Sequence, residues 1–152
     1  MLKKRLTALL LGSAMAMATV AISEFEGRRN YAYLDIVGVP TICDGYTHGV
    51  KLGDYKTDAQ CDQLLQSELK TTMAAVEKAV KVPITEPMKA ALVSFAYNVG
   101  IPAFRSSTLL RTLNAGNYAS ACDQMRRWIY AGGIKRKGLA NRREIERWLC
   151  LQ

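Results

Sequence analysis

The stretch Glu26-Gly27-Arg28-Arg29-Asn30-Tyr31-Ala32-Tyr33-Leu34-Asp35-Ile36-Val37-Gly38-Val39-Pro40-Thr41 lies where the chain changes from helix to sheet. Residues 14 to 26 contain no helix breaker, so we expect one helix that ends at Gly27, a residue type favoured just beyond a helix C-terminus. From Tyr31 to Val50, Tyr, Val, Ile and Thr are mixed with Gly and Pro, which predicts short antiparallel strands and turns. The stretch therefore carries one carboxylate at a helix end and another in a small sheet.

Glu26 and Asp35 form a candidate pair for glycoside hydrolysis, which needs two carboxylates in different surroundings. An acid at a helix C-terminus among apolar neighbours is expected to keep its proton, because burial and the helix dipole disfavour its charge. A carboxylate among turns can stay ionised, and the hydroxyl of Thr41 could hold a water beside it. The chain has seven Glu and six Asp, so the spacing alone also fits a solvated Glu and a turn Asp.

The remainder of the chain is predicted to be helical, because capping residues and breakers divide it into regular segments. A capping box, a Pro in a first helical turn and capping Ser or Asn residues mark the helix starts. The predicted helices start at Thr57 and end near Lys81, start at Thr85 and end at Gly100, start at Ser106 or Ser107 and end near Gly116, start at Asn117 and run through Tyr130 to Gly132-Gly133, and run from about Asn141 to Cys150. The predicted fold class is α+β, with a small antiparallel sheet followed by a helical lobe.

The composition is that of one globular domain with a basic surface. The chain has 152 residues, of which 49% are hydrophobic, and this is enough for a sizeable core. Its net charge of +8 favours a polyanionic partner, and nucleic acid, an anionic membrane and an acidic cell-wall polymer all qualify. Residues 126–147 hold eight of the 21 basic residues, which fits either attraction to a cell wall or a solvated helical face.

The N-terminus has the pattern of an export signal, with Lys3, Lys4 and Arg5 before an uncharged run at residues 6–22. As a helix this run spans about 25 Å, against about 30 Å for a bilayer core. Small or weakly polar residues fill nine of its 17 positions, so such a helix gains little from lipid. It could be a cleaved signal peptide, a permanent anchor, or a helix that inserts and then escapes into the periplasm.

Escape from the membrane is the interpretation that we prefer for this segment. Cleavage at a small-x-small site after Ala18 would leave only residues 19–25 before Glu26. That is too short for the helix expected to carry Glu26. We therefore expect a segment at residues 1–22 whose C-terminal part joins the first helix, and a catalytic domain at residues 23–152.

Four cysteines, an even number in a small chain, fit two disulfides in an exported protein or buried thiols in the cytosol. A zinc site is not expected, because no CxxC pair is present and His48 is the only histidine. We also expect no other metal and no cofactor. Three disulfide pairings are possible for four cysteines.

The chain resembles the phage-type lysozymes, glycoside hydrolase family 24, and within them the endolysins of lambdoid phages that carry a signal-anchor-release helix. The Glu-x8-Asp-x5-Thr triad stands at Glu26, Asp35 and Thr41, and the resemblance covers nearly the whole chain. Further matching blocks are Asp35-Ile36-Val37-Gly38 with the Gly45 region, residues 94–100, residues 104–110, residues 127–133, Gly138-Leu139 and residues 142–146.

This resemblance implies a lysozyme-like fold with its active site in the cleft between the two lobes. It implies a muramidase that cuts the β-1,4 bond between N-acetylmuramic acid and N-acetylglucosamine and lyses the phage's host. Glu26 would be the proton donor, Asp35 would activate or steer the attacking water, and Thr41 would position that water. Family members mostly invert the anomeric centre, which predicts carboxyl groups about 6.5–9.5 Å apart.

The resemblance also suggests residues around the triad. Arg142 matches the family position that pairs with the catalytic Glu. Gly45, Asn98, Thr108 and Arg142 are candidate substrate-binding residues, although Asn98 and Thr108 equally fit helix-end roles.

Other side chains carry weaker expectations. Trp128 and Trp148 could stack on sugars, although core packing fits them better. Many relatives have His where this chain has Tyr46, which puts a structural His–carboxylate pair in doubt, and we interpret His48 as a turn residue.

We predict the disulfides Cys43–Cys61 and Cys122–Cys150. Cys43 lies in the sheet near the start of the helix that carries Cys61, and Cys122 and Cys150 lie on helices of the same lobe.

The expected partners are peptidoglycan and, before release, the host inner membrane through residues 6–22. We expect export to the host periplasm, a monomer, and no contact with nucleic acid. The alternative function is a small basic protein that damages the bilayer without catalysis.

Overall fold

Eight α-helices and four short strands make up the structure, a computed structural model that describes residues 1–152. In chain order they are α1 (Leu2–Thr7), α2 (Ala14–Glu26), β1 (Arg29–Leu34), β2 (Pro40–Cys43), α3 (Asp58–Ala79), α4 (Glu86–Val99), α5 (Ile101–Arg105), α6 (Thr108–Asn114), α7 (Tyr118–Gln124), β3 (Tyr130–Ala131), β4 (Ile134–Lys135) and α8 (Lys137–Cys150). A single 3-10 turn, Met125–Arg127, follows α7.

The small sheet is the hairpin β1–β2, which pairs Tyr33 with Thr41 and Leu34 with Pro40. The disulfide between Cys43 and Cys61 joins β2 to α3. A second disulfide, Cys122–Cys150, joins α7 to the C-terminal end of α8. The α+β class and both predicted disulfides are therefore confirmed.

The main core lies in the helical lobe, where α4 packs against α2, α3 and α8. The N-terminal residues belong to this core: Leu6, Met17, Ala18 and Ile22 have no exposed surface. None of the helices combines the length and the hydropathy that a membrane crossing requires. Residues 8–13 separate α1 from α2, so the apolar run at residues 6–22 is not one helix here.

The capping signals position most helix starts as predicted. Thr57 and Gln60 form both halves of the capping box of α3. Thr85 caps α4, and Ser107, one of two residues proposed, caps α6. The helix over residues 14–26 is also confirmed, with Gly27 at φ 62° as its C-cap.

Two predicted helix boundaries in the last third of the chain are wrong. The helix that starts after Asn117 ends at Gln124 instead of running through Tyr130, which lies in β3. Gly132 and Gly133 have φ of 59° and 75°, which is the conformation of a two-residue hairpin turn, so the flanking residues pair as strands. The last helix then begins at Lys137, four residues earlier than predicted.

Candidate active site

A cleft of about 820 Å³ opens between the β1–β2 hairpin and the helical lobe. Glu26 and Asp35 both line it, as do Asn98 and Arg142. The two candidate carboxylates come from different elements, since Glu26 ends α2 and Asp35 follows β1. The structure thus brings the two carboxylates to one concave surface, as expected.

Glu26 is held from two sides. Its side chain is 18% exposed, and its Oε1 accepts a hydrogen bond of 2.6 Å from Nη1 of Arg142. Its Oε2 faces Gly45, because a Cβ built on Gly45 would lie 2.8 Å from that oxygen. The surroundings expected to be apolar therefore include a buried guanidinium, and one carboxylate oxygen is fixed by it.

Asp35 is oriented by the backbone of the turn that follows it. Its Oδ1 accepts hydrogen bonds from the amides of Val37 (2.9 Å) and Val39 (2.8 Å). Thr41 is 3% exposed and does not line the cleft, and its hydroxyl donates to the carbonyl of Val39 at 2.8 Å. Asp35 and Thr41 are thus linked through Val39, while Oδ2 of Asp35 makes no hydrogen bond within the protein.

Arg142 uses all three guanidinium nitrogens inside the protein. Besides the bond from Nη1 to Glu26, Nε donates to Glu146 at 2.9 Å and Nη2 donates to the carbonyl of Ser94 at 3.0 Å. Burial opposes its charge, but the nearby carboxylates of Glu146 and Glu26 outweigh this and raise the pKa of Arg142. The pairing of Arg142 with Glu26 that the resemblance suggests is present.

The other candidate substrate-binding residues are placed differently. Asn98 lines the cleft and accepts a hydrogen bond at Oδ1 from Nη2 of Arg143. Thr108 lies outside the cleft, in a neighbouring hollow of about 390 Å³ that shares Trp128 with it, and accepts a hydrogen bond from Arg111 at 2.9 Å. The structure therefore brings Asn98, but not Thr108, to the two carboxylates.

Several residues that the sequence did not single out line the same cleft. Arg29 and Tyr33 come from β1, and the guanidinium of Arg29 lies 4.4 Å from the centre of the Tyr33 ring. Arg136, which lies between β4 and α8, and Lys137, the first residue of α8, also line the cleft. In the sequence, the position of Arg136 and Lys137 next to the matched motif Gly138-Leu139 could have indicated a role at the site. Basic residues before a helix fit a solvated loop equally well.

The basic region at residues 126–147 is not one solvated face. Arg142 and Arg143 are buried, at 4% and 0% exposure. Arg126 and Arg147 form surface ion pairs with Glu144 and Asp123.

The two tryptophans lie mainly against the core. Trp128 packs edge-on against Phe95 at 5.4 Å between ring centres and also lines the cleft. Trp148 packs against the main core with Lys3 above its ring.

A second ion pair lies beneath the hairpin. Arg28 donates to Oδ2 of Asp44 at 2.8 Å, and Asp44 is 2% exposed. The hydroxyl of Tyr97 donates to the Asp44 carbonyl at 2.7 Å. Burial, with the charges of Glu26 and Asp44, raises the pKa of Tyr97 above its ordinary value. These contacts fix the turn that carries Gly45 against α4.

His48 lies in a turn, as predicted, with its ring edge-on to Tyr46. Its Nε2 is 3.9 Å from a carboxylate oxygen of Glu68. His48 thus approaches Glu68 of α3 at the protein surface, while position 46 carries a tyrosine.

The chain is similar in sequence to known proteins over most of its length. The sequence profile of the family described as Phage lysozyme matches residues 23–146. The chain belongs to the phage lysozyme family. It is 46% identical to the SAR-endolysin of Enterobacteria phage P21 over 157 aligned positions, which cover 99% of this chain and 95% of that protein.

Solved structures of phage enzymes superpose on this lysozyme-like fold. The endolysin from Escherichia coli O157:H7 phage FAHEc1 has a TM-score of 0.80 at 38% identity, over 89% of this chain and 90% of its own. A point mutant of P22 lysozyme has a TM-score of 0.74 at 35% identity, over 89% of this chain and 95% of its own. The chain is thus an endolysin, a lysozyme-type hydrolase that cleaves peptidoglycan.

Proposed function

We propose that this endolysin hydrolyses the β-1,4 bond between N-acetylmuramic acid and N-acetylglucosamine with inversion at the anomeric carbon. The convergence of Glu26 and Asp35 on one cleft from different elements supports this proposal. Glu26 donates a proton to the glycosidic oxygen as the bond breaks. Asp35 draws a proton from a water that attacks the opposite face of the sugar.

Thr41 positions this water together with the turn that carries Asp35. Its hydroxyl donates to the carbonyl of Val39, whose amide donates to Asp35, so Thr41 acts by holding the turn that orients Asp35. Gly45 lets the hairpin approach Glu26, while Asn98 and the neighbouring hollow at Thr108 contact the glycan. Arg142 fixes the direction of the Glu26 carboxyl. The cleft is complete within one chain, so the enzyme acts as a monomer.

Glu26→Gln tests the chemistry directly. The variant keeps the shape of the side chain but has no proton to donate, so release of reducing ends from purified peptidoglycan should fall by at least about a hundredfold. Glu24→Gln is the matched control, since Glu24 lies on the same helix but on its exposed face, paired with Arg5. Full release of reducing ends by Glu26→Gln would refute the assignment.

Two further readouts separate the alternatives. Proton NMR of the first product formed should show the α-anomer if the mechanism inverts, and the β-anomer would contradict inversion. Lysis of cells by exported Glu26→Gln, with no reducing ends released, would favour the alternative function of bilayer damage without catalysis.

We further propose that residues 6–22 tether the enzyme to the host inner membrane after export, and that the tethered form is inactive. The SAR-endolysin names of the relatives support the tether, and the buried positions of Leu6, Met17 and Ile22 support the need for release. While this segment lies in lipid, Glu26 is held at the bilayer surface, four residues beyond Ile22. Release lets the segment dock in the helical lobe and completes the cleft on the periplasmic side.

The N-terminus of α2 has a specific acceptor in the docked state. The amide of Ala14 donates to a carboxylate oxygen of Glu86 at 2.7 Å, and Ser13 caps the same turn. These contacts and the break between α1 and α2 belong to the docked form. If the membrane-bound form degraded peptidoglycan as fast as the released form, the proposal that tethering keeps the enzyme inactive would be wrong.

A further inference from the structure

Glu146 is a residue of α8 that is 1% exposed and shares Arg142 as a partner with Glu26. Its Oε1 accepts hydrogen bonds from the hydroxyl of Ser94 at 2.7 Å and from Nε of Arg142 at 2.9 Å. Its Oε2 lies 3.1 Å from Nη1 of Arg143. A buried carboxylate with this many cationic neighbours contacts no cleft surface and takes no part in the proposed proton transfers.

The position of Glu146 determines where the Arg142 guanidinium points. This group is planar, and its N–H directions are fixed relative to one another. The bond from Nε to Glu146, together with the bond from Nη2 to the Ser94 carbonyl, therefore sets the direction of Nη1, which holds Glu26 at 2.6 Å. The Phe25 ring, 4.8 Å from the guanidinium carbon, closes another side.

Glu146 also balances the charge of this interior. Two arginines, Arg142 and Arg143, face two carboxylates, Glu26 and Glu146. Burial lowers the pKa of Arg143 to about 10, whereas the two carboxylates keep the pKa of Arg142 raised. Without Glu146, Arg142 and Arg143 would lose the carboxylate that they share, and Arg142 would keep Glu26 as its only carboxylate partner.

We infer that Glu146 is a positioning residue for Glu26 and acts through Arg142, an inference that rests on the proposed role of Glu26 as the proton donor. Ser94 supports it by directing a hydroxyl at the same Glu146 oxygen. Loss of this positioning should lower kcat, because a displacement of about 1 Å at a reacting group can cost about a hundredfold in rate. KM should change much less than kcat when Glu146 or Ser94 is replaced, since neither of these two residues lines the cleft.

The test compares Glu146→Gln, the charge-balanced double variant Arg143→Met/Glu146→Gln and Ser94→Ala with the native enzyme on soluble glycan strands. Glu146→Gln should lower kcat about ten- to a hundredfold with KM within about twofold, and Ser94→Ala should lower kcat about threefold or more. The double variant should lower kcat as much as Glu146→Gln does, and only its kcat is used, because the loss of Arg143 also frees Asn98 in the cleft. Glu144→Gln is the matched control, because Glu144 is on the same helix and pairs only at the surface with Arg126. It should keep the native rate.

Circular dichroism and the thermal midpoint report folding separately. The double variant and Ser94→Ala leave no uncompensated buried charge, so they carry the test if Glu146→Gln does not fold. A folded double variant, or a folded Ser94→Ala variant, with kcat within about twofold of native would overturn the inference.

Side-chain NMR separates this inference from the proposed function. The Nε–H signal of Arg142 should exchange slowly with solvent in the native enzyme and in Glu26→Gln, and rapidly in the double variant. If Glu26→Gln remained active, the proposed function would fail while this signal still tested whether Glu146 holds the guanidinium. Slow exchange in the double variant would count against the inference.

Discussion

Gly45 sets how closely the hairpin can approach Glu26. Its φ of 85° suits glycine, and an added Cβ would lie 2.8 Å from Oε2 of Glu26. Gly53 has a similar φ of 98° but nothing within 4 Å of the same built position. Comparing the same substitution at Gly45 and at Gly53 therefore distinguishes the effect of backbone strain from the effect of contact with Glu26.

Gly45→Ala should lose activity because the new methyl group displaces the Glu26 carboxyl. We expect kcat to fall about a hundredfold and the free energy of unfolding to fall by about 1–3 kcal/mol from backbone strain. Gly53→Ala, the control, should show the loss of stability without the loss of kcat. Steady-state kinetics and urea unfolding of both variants make the comparison, and equal kcat values would argue against the close approach.

Tyr97 should make the protein less stable as the pH rises into the alkaline range. Burial raises its pKa above the ordinary value of 10.0, so above that pH the unfolded chain loses this proton and the folded protein keeps it. Unfolding then releases a proton, and the contribution of Tyr97 is fully present below pH 10 and decreases above it by about 1.4 kcal/mol per pH unit.

Tyr97→Phe isolates this effect. At neutral pH the free energy of unfolding of the variant should be about 1 kcal/mol lower than that of the native protein, because the hydrogen bond to Asp44 is lost. Between about pH 10 and about pH 11 this free energy should fall less steeply for the variant than for the native protein. Urea unfolding at several pH values gives both slopes, and the native-minus-variant difference cancels the other tyrosines. Parallel slopes would show that Tyr97 titrates alike in the folded and unfolded states.

At the scale of elements, the proposed tether requires α2 to serve two environments, the bilayer and the helical lobe. Its buried alanines Ala14, Ala18 and Ala21 allow α2 to lie close to its neighbours in the helical lobe. The same small residues make the segment weakly apolar for lipid. Thr7 and Ala8, by contrast, are exposed in the docked form, so their hydropathy can change without overpacking the core.

Thr7→Leu/Ala8→Leu should therefore retain the tethered form without harming the released enzyme. Leucine favours the bilayer by about 0.5 kcal/mol at the centre of a membrane helix and by less near its end. Because residues 7 and 8 lie near the start of the run at residues 6–22, the share of protein in the membrane fraction should rise modestly and lysis should be delayed. Purified in detergent-free buffer, the variant should keep the native kcat. Thr7→Ser/Ala8→Ser is the control, and an unchanged membrane fraction for the leucine variant would contradict the proposed tether.

Local signals predicted most of the elements correctly. Gly27, the Thr57–Gln60 capping box and Ser107 each act within a few residues of chain, so the sequence is enough to locate the ends they set. The sequence predicts a helix through Tyr130 because Gly132-Gly133 fits a helix stop, whereas in the structure the same two glycines form the turn of a hairpin.

The candidate site was predicted only in part. Glu26, Asp35 and Arg142 follow from the motif and the family resemblance. Glu146 does not, because its spacing of three and four residues from the two arginines is also that of an exposed ion-pair ladder. Only the packing of α8 against α4 shows that this ladder is buried.

At the scale of the whole molecule, the excess of positive charge is distributed around the cleft as well as over the outer surface. Several arginines are neutralised by partners, as Arg126 is by Glu144 and Arg28 is by Asp44. Arg29 and Lys137, which line the cleft from opposite lobes, form no salt bridge. These two cations are therefore free to attract the carboxylates of an anionic cell wall.

Arg29→Gln/Lys137→Gln should weaken binding to peptidoglycan mainly at low salt. Exposed charges interact over about 10 Å at 0.1 M ionic strength and over about 3 Å at 1 M. The native KM for cell-wall fragments should therefore rise with salt, and the KM of the variant should start higher and rise less. Lys70→Gln/Lys78→Gln removes the same charge from the exposed face of α3, away from the cleft. If both double variants shifted KM equally, the overall charge of +8, and not its placement at the cleft, would govern attraction to the wall.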